Sequence, residues 1–306
     1  MHQLWTWVFE PGLFSSQPVR VAAIIGGAVA LVSAVTGVFT VMRGQAFGGH
    51  ALGDVSAAGG SGALLVGLNP LAGFVGLGIA GAGVMDTIGV RRVRSRDLAT
   101  GIVLGAAIGL SALFLYLEAV SGATTGAPAQ ILFGSIFTVS PSMIPAVVAL
   151  GAIALAGIAF TWRPLLLTTV STDIAAARGA RVRLTGLVFM LALAVSVGLS
   201  SLAVGAILAT ALLIGPAATA LRLTKTAGRA VAAACLIGVG ATWLGILLAY
   251  DSYYWGSAHL GLPVSFFIVV LIFVTYLVSG AATALSARGA ARSRELIKVP
   301  AAGTEG

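Results

Sequence analysis

One cysteine, nine acidic residues and three histidines are nearly all that this 306-residue chain offers for redox or metal chemistry. A lone Cys235, set among Ala234 and Leu236, excludes an intramolecular disulfide and a thiolate metal cage. Charged side chains make up only 8% of the chain, against about 25% in soluble domains. That shortage excludes a soluble globular fold. No Gly-x-x-x-x-Gly-Lys-Ser/Thr occurs, and the glycine-rich run Gly59-Gly60-Ser61-Gly62 lacks the lysine that would complete a phosphate cradle. His-Glu-x-x-His, paired-cysteine and Gly-x-Ser-x-Gly patterns are also missing, so an enzymatic reading has no residues to rest on. The first apolar run has no basic region ahead of it and continues to spanning length, which argues against a cleavable signal peptide.

What is present is apolar: 58% hydrophobic residues and a mean hydropathy of +1.06. Runs close to the roughly 20 residues needed to cross a bilayer recur along the chain. The fold class expected is all-α, a polytopic membrane bundle of 8–9 transmembrane helices. Candidate spans are 20–42, 47–67, 70–89, 97–119, 142–162, 184–199, 202–222, 228–250 and 263–285, with 47–67 glycine-rich and open to being broken or tilted. They divide the chain into an interfacial segment (1–19), a transmembrane domain (20–285) and a tail (286–306) expected to be disordered. Forty-one glycines, many in small-x-x-x-small spacing, suit close helix packing in lipid.

The net charge of +8 does not point to nucleic acid, because the basic residues lie in short connections between apolar runs. Arg43, the Arg91–Arg96 group, Arg163 to Arg183, Arg222 to Arg229 and the tail fall in alternate connections, leaving only Arg20 on the other side. The positive-inside rule places that side in the cytoplasm, with the amino terminus outside and the carboxyl terminus inside. The connection 120–141 has no formal charge and reads as a short re-entrant or interfacial helix. Residues 251–262 read as an aromatic interfacial segment.

Most acids lie at the termini or in connections: Asp86 and Asp97 flank the arginine run and are expected to pair with it, and Glu118 ends a span where it is expected to reach water. His50 and Asp54 are the close pair left within a span. Four residues apart on a helix, they share one face. Ionisable groups inside a membrane are costly and mark function. Nitrogen and oxygen ligands suit zinc, manganese or iron rather than copper(I). Two ligands are too few for a tight site, but a two-fold dimer would assemble two imidazoles and two carboxylates. The alternative, left open by the residues alone, is a buried His–Asp hydrogen bond. A second constellation is Ser171-Thr172-Asp173-Ile174-Ala175-Ala176-Ala177-Arg178-Gly179, where Ser171 or Thr172 can cap a short helix and Gly179 can stop it. Such a helix suits docking to another protein, and an ordinary polar loop is the competing reading.

These segments resemble the permease subunits of the ATP-binding-cassette importers for zinc, manganese and iron. The stretch Gly48-Gly49-His50-Ala51-Leu52-Gly53-Asp54, Leu132-Phe133-Gly134-Ser135, Val204-Gly205-Ala206-Ile207-Leu208 and above all Ala211-Leu212-Leu213-Ile214-Gly215-Pro216-Ala217-Ala218-Thr219-Ala220 carry the resemblance, in order, over residues 20–285. The resemblance implies a type II importer fold, a homodimer in a bacterial inner membrane, ATPase subunits docked on Asp173–Gly179, and an extracytoplasmic metal-binding protein. It implies a divalent metal as transported substrate, zinc or manganese foremost, and no resident cofactor. A permease for a chelated metal and a secondary ion-coupled transporter are the rival functions. Three departures stand out. The family's aspartate-first order is reversed to His50 then Asp54, its proline is Ala58, and its Phe-Asp ahead of the docking helix is Val170-Ser171. His50 also lies only seven residues past Arg43, close to the expected cytoplasmic edge.

Overall fold

The computed structural model describes residues 16–89, 93–121, 126–134, 136–253 and 261–297. The interfacial segment expected over 1–19 lies almost wholly outside them, as do most of the aromatic segment 251–262 and the end of the tail. So do the side chains of Arg91–Arg96 and Asp97, on which the expected pairing rests.

The described residues form twelve α-helices and two 3-10 turns. In chain order the helices are α1 (Gln17–Met42), α2 (Ala46–Leu65), α3 (Pro70–Gly89), α4 (Val93–Ser121), α5 (Ala127–Phe133), α6 (Ile144–Phe160), α7 (Trp162–Val170), α8 (Thr172–Ala177), α9 (Val182–Val204), α10 (Ala206–Leu223), α11 (Ala227–Ser252) and α12 (Val264–Ile297). Eight of them hold stretches long and apolar enough to cross a membrane. Helix α2 is not among those eight, although its 20 residues run unbroken. Its glycines, serines, His50 and Asp54 lower its hydropathy, and burial among α3, α4, α9 and α10 gives it the apolar surroundings that its own side chains do not provide. The uncharged connection 120–141 does contain a short helix, α5. At the far end, helix runs past residue 285 to Ile297, through Ala-Arg-Gly-Ala-Ala-Arg, a sequence rich in strong helix formers.

Helices α1 and α9 are the central pair, buried along most of their lengths, while α4 turns most of its surface outward. Hydroxyls join the central pair. Ser33 and Ser200 share a hydrogen bond of 2.6 Å, and Thr36 donates to Ser196 at 2.8 Å. Thr36 also reaches the Val32 carbonyl, so polar groups held between two membrane helices stay satisfied. Two crossings depend on glycine. Gly37 of α1 lies against the Leu213 carbonyl of α10, and Gly59 of α2 against the Gly73 backbone of α3, leaving no room for a Cβ. Gly134 and Gly205, both with positive φ, pack backbone to backbone where α5 meets the α9–α10 junction.

Glu118 corrects an expectation. It is 1% exposed, and its carboxylate oxygens have no hydrogen-bond partner among the described residues. Neighbouring Leu115 packs against a buried cluster formed by Ala57 of α2, Phe74 of α3, Ile131 of α5 and Ala206 of α10, so this face of α4 turns into the bundle instead of toward water.

Candidate functional site

Helix α2 begins abruptly. The chain leaves α1 at Met42, turns through Arg43, Gly44 (φ 63°) and Gln45, and re-enters as helix at Ala46. Gln45 N–H donates to the Thr40 carbonyl at 2.9 Å, which folds the elbow tightly onto the end of α1. Positive φ at Gly44 is what this reversal requires of the backbone.

The elbow does not lie at the edge of the bundle. Beyond it, Gly49 sits beside Leu193 of α9 and Leu213 of α10, and Gly53 beside Val197 of α9. Leu193 is about 16 Å along α9 from its start at Val182, at 1.5 Å per residue, close to the middle of that 23-residue helix. His50 and Asp54 therefore lie beside the middle part of α9 and not at its start. The short separation from Arg43 is reconciled because Arg43 is itself drawn inward: Nη1 donates to Thr168 Oγ1 at 3.0 Å, and the guanidinium lies 5.1 Å from the centre of the Phe189 ring.

His50 Nε2 and Asp54 Oδ2 are 3.7 Å apart, an ion-pair distance longer than a hydrogen bond. The competing reading, a buried His–Asp hydrogen bond, is not what the geometry contains. His50 spends its hydrogen bond elsewhere: Nδ1 is 3.0 Å from Thr210 Oγ1 on α10. With Nδ1–H donating to that hydroxyl, Nε2 keeps its lone pair and presents it beside Asp54. Among the described residues nothing donates a hydrogen bond to the buried Asp54 Oδ2, while the Asp54 backbone carbonyl accepts from Ser111 Oγ of α4 at 3.4 Å. The side chains are 43% and 18% exposed, so the pair opens onto a side of the bundle. Chemically, this is an imidazole nitrogen and a carboxylate oxygen held side by side, with Oδ2 the buried oxygen of a carboxylate that is itself only partly exposed. Among the described residues no third His, Cys, Asp or Glu joins them.

The second constellation forms a separate element. Ser171 caps α8 by accepting the Ile174 N–H at 3.3 Å, and the helix ends at Arg178 and Gly179 (φ 78°). Ala175 is buried and anchors the helix, whereas Thr172, Asp173, Ile174, Ala176, Ala177, Arg178 and Gly179 are exposed. Val170 and Ile174, four residues apart, are 83% and 52% exposed and make an apolar tip. Thr210 escaped sequence reasoning, since a single hydroxyl in an apolar run carries no signal until α10 is placed beside α2. Its position directly before the Ala211–Ala220 motif was the only cue.

The ABC 3 transport family model matches residues 15–283. The chain belongs to this family. It is a transport permease subunit, a multi-pass protein of the inner membrane. The manganese import system permease protein ScaB of Streptococcus gordonii is 27% identical over 243 residues, which cover 79% of this chain and 86% of that protein. The high-affinity zinc uptake system membrane protein ZnuB of Haemophilus influenzae is 27% identical over 236 residues, covering 76% and 88%. Among solved structures, PsaBC from Streptococcus pneumoniae in complex with Fab superposes with a TM-score of 0.74 at 25% identity, covering 88% of this chain and 92% of that one.

Proposed function

We propose that this chain, the membrane-spanning permease of a divalent-metal ABC importer, passes manganese or zinc through a site built from His50 and Asp54 of two copies. The observation that carries this reading is the close pair itself, with Nε2 and Oδ2 3.7 Å apart and Oδ2, though buried, without a hydrogen-bond partner among the described residues. One copy supplies two ligands. Two copies facing across a two-fold axis supply two imidazoles and two carboxylates, and the two negative charges offset the charge of the ion. Relatives named for manganese import and zinc uptake support that substrate class.

The arginine-rich end of the bundle faces the cytoplasm, with the amino terminus outside and the carboxyl terminus inside. ATPase subunits dock there on the exposed face of α8, from Ser171 to Gly179, and the apolar tip of Val170 and Ile174 enters their groove. Val170-Ser171 in place of Phe-Asp gives that groove a smaller apolar contact to accommodate. An extracytoplasmic binding protein delivers the ion to the opposite mouth. ATP binding and hydrolysis shift the dimer between outward-open and inward-open states. Few ligands, two from each subunit's helix, hold the ion weakly enough to release it.

The test is uptake of manganese and zinc in cells lacking their own importers, with membrane levels and ATPase association measured in parallel. His50→Ala and Asp54→Ala each abolish uptake while the complex still assembles. The exchange His50→Asp with Asp54→His retains part of the transport, because i and i+4 keep both ligands on one face and move each by about one turn. Unchanged uptake in both alanine variants sinks the site. Uptake of a chelate but not the free ion, or uptake that follows the proton gradient without ATP, assigns the chain to one of the rival classes.

A further inference from the structure

The proposed docking helix and the ion-binding helix are far apart in sequence, but one side chain joins the elements that carry them. Arg43 stands in the elbow from which α2 starts, seven residues ahead of His50. Its Nη1 donates to Thr168 Oγ1 at 3.0 Å. Thr168 belongs to the last turn of α7, three residues before Ser171, the cap of α8. The Thr168 hydroxyl donates its own proton to the Leu165 carbonyl at 3.0 Å, which leaves the oxygen oriented to accept from Arg43. Helix α7 passes into α8 with little slack, because Ser171 N–H donates to the Leu167 carbonyl while the Ser171 side chain caps the next helix.

The other side of the contact is equally constrained. The Arg43 guanidinium lies 5.1 Å over the Phe189 ring of α9, and Arg43 N–H donates to the Phe39 carbonyl. Phe39 in turn meets Trp162, the first residue of α7, edge to face at 5.1 Å. Only Gly44 and Gln45 separate Arg43 from the first turn of α2. A displacement of α7 is therefore delivered to the start of the helix that carries His50 and Asp54. A guanidinium at this depth is costly where an apolar side chain would pack more cheaply, and its directional hydrogen bond supplies what packing does not: a fixed link between two helices.

We propose that Arg43 is a positioning residue that, through Thr168, transmits movement of α8 to the His50–Asp54 helix. This rests on the reading of α8 as the ATPase docking element. Arg43 and Thr168 touch neither ion nor nucleotide, and they set how much ion is moved per ATP hydrolysed.

The test uses the complete permease–ATPase complex in liposomes and records two rates together, ATP hydrolysis and transport of manganese or zinc, whichever the parent complex moves. Thr168→Val removes the acceptor with almost no change of volume, and Arg43→Gln shortens the fork. Both variants keep hydrolysis within about twofold, and both lower ions moved per ATP at least tenfold. Thr168→Ser, which keeps the hydroxyl, stays within about twofold of the parent ratio. The double variant Arg43→Gln/Thr168→Val is no worse than Arg43→Gln alone, since both changes break one contact. An unchanged ratio in Thr168→Val and Arg43→Gln, or losses that multiply in the double variant, overturns the proposal. Crosslinking of an Asp173→Cys permease to the ATPase separates the two readings. Crosslinks with an unchanged ratio overturn the role of Arg43 alone, whereas absence of crosslinks in a transport-active Asp173→Cys complex removes the docking reading beneath it.

Discussion

Thr210→Val removes the hydrogen bond that holds the His50 imidazole among the described residues, and leaves a side chain of nearly the same volume on α10. A neutral hydrogen bond contributes about 0.5–1.5 kcal/mol net. At 3.0 Å, with His50 half-exposed, about 1 kcal/mol is a reasonable central figure for the lost orientation. If one copy binds one ion, that corresponds to about a fivefold loss of affinity. If two copies share the ion, the loss is counted twice, about 2 kcal/mol or some 30-fold. The upper figure falls within the 10–100-fold range seen when a metal-bound histidine loses its outer partner. The measurement is equilibrium dialysis of radioactive manganese and zinc against the permease in lipid nanodiscs, without the delivery protein, so that the site itself is read. Thr210→Ser preserves binding. Affinity of Thr210→Val within twofold of the parent, or an equal fall in Thr210→Ser, refutes the idea that this hydroxyl orients the imidazole.

Two further outcomes follow from packing and capping. Gly59→Ala places a Cβ on the Gly73 backbone and is expected to cost about 1–3 kcal/mol, whereas Gly240→Ala, with open space around it, gains about 0.5–1 kcal/mol; thermal unfolding of both in detergent checks the sign of each. Ser171→Ala loses the α8 cap, costs about 0.5–2 kcal/mol locally and weakens ATPase association several-fold, while Ser171→Asp retains it, as measured by co-purification at graded detergent or salt.

Much of the architecture was legible because a bilayer leaves few options. Backbone groups in lipid must be satisfied within helices, so apolar runs near the spanning length already define the elements. A cap at Ser171 or Thr172 and a stop at Gly179 were legible for a local reason, since both depend on the backbone of adjacent residues, and the structure uses Ser171. Glu118 was misread for the opposite reason. Its position at the end of an apolar run suggested water, but the rotation of α4 about its own axis is set by Leu115 packing on the buried cluster of α2, α3, α5 and α10, which no local pattern encodes. The position of His50 along the bundle was left open by the sequence, because its short distance from Arg43 fits either a steep entry of the helix or an arginine drawn inward. Thr168 and Phe189, distant in sequence, provide the partners that let Arg43 sit inside.

Taken alone, the sequence determined the all-helical membrane class and the pairing of His50 with Asp54 on one face, and it offered a short capped helix over Asp173–Arg178 beside an ordinary polar loop. Each of these follows from composition or from helical spacing of 3.6 residues per turn. Tertiary structure decided that the pair stands 3.7 Å apart instead of hydrogen-bonded, that it lies beside the middle of α9, that Thr210 meets the imidazole, and that Arg43 joins α7 to the elbow of α2. Those properties depend on which helices lie side by side and how each is rotated, and contacts between residues more than a hundred positions apart set both.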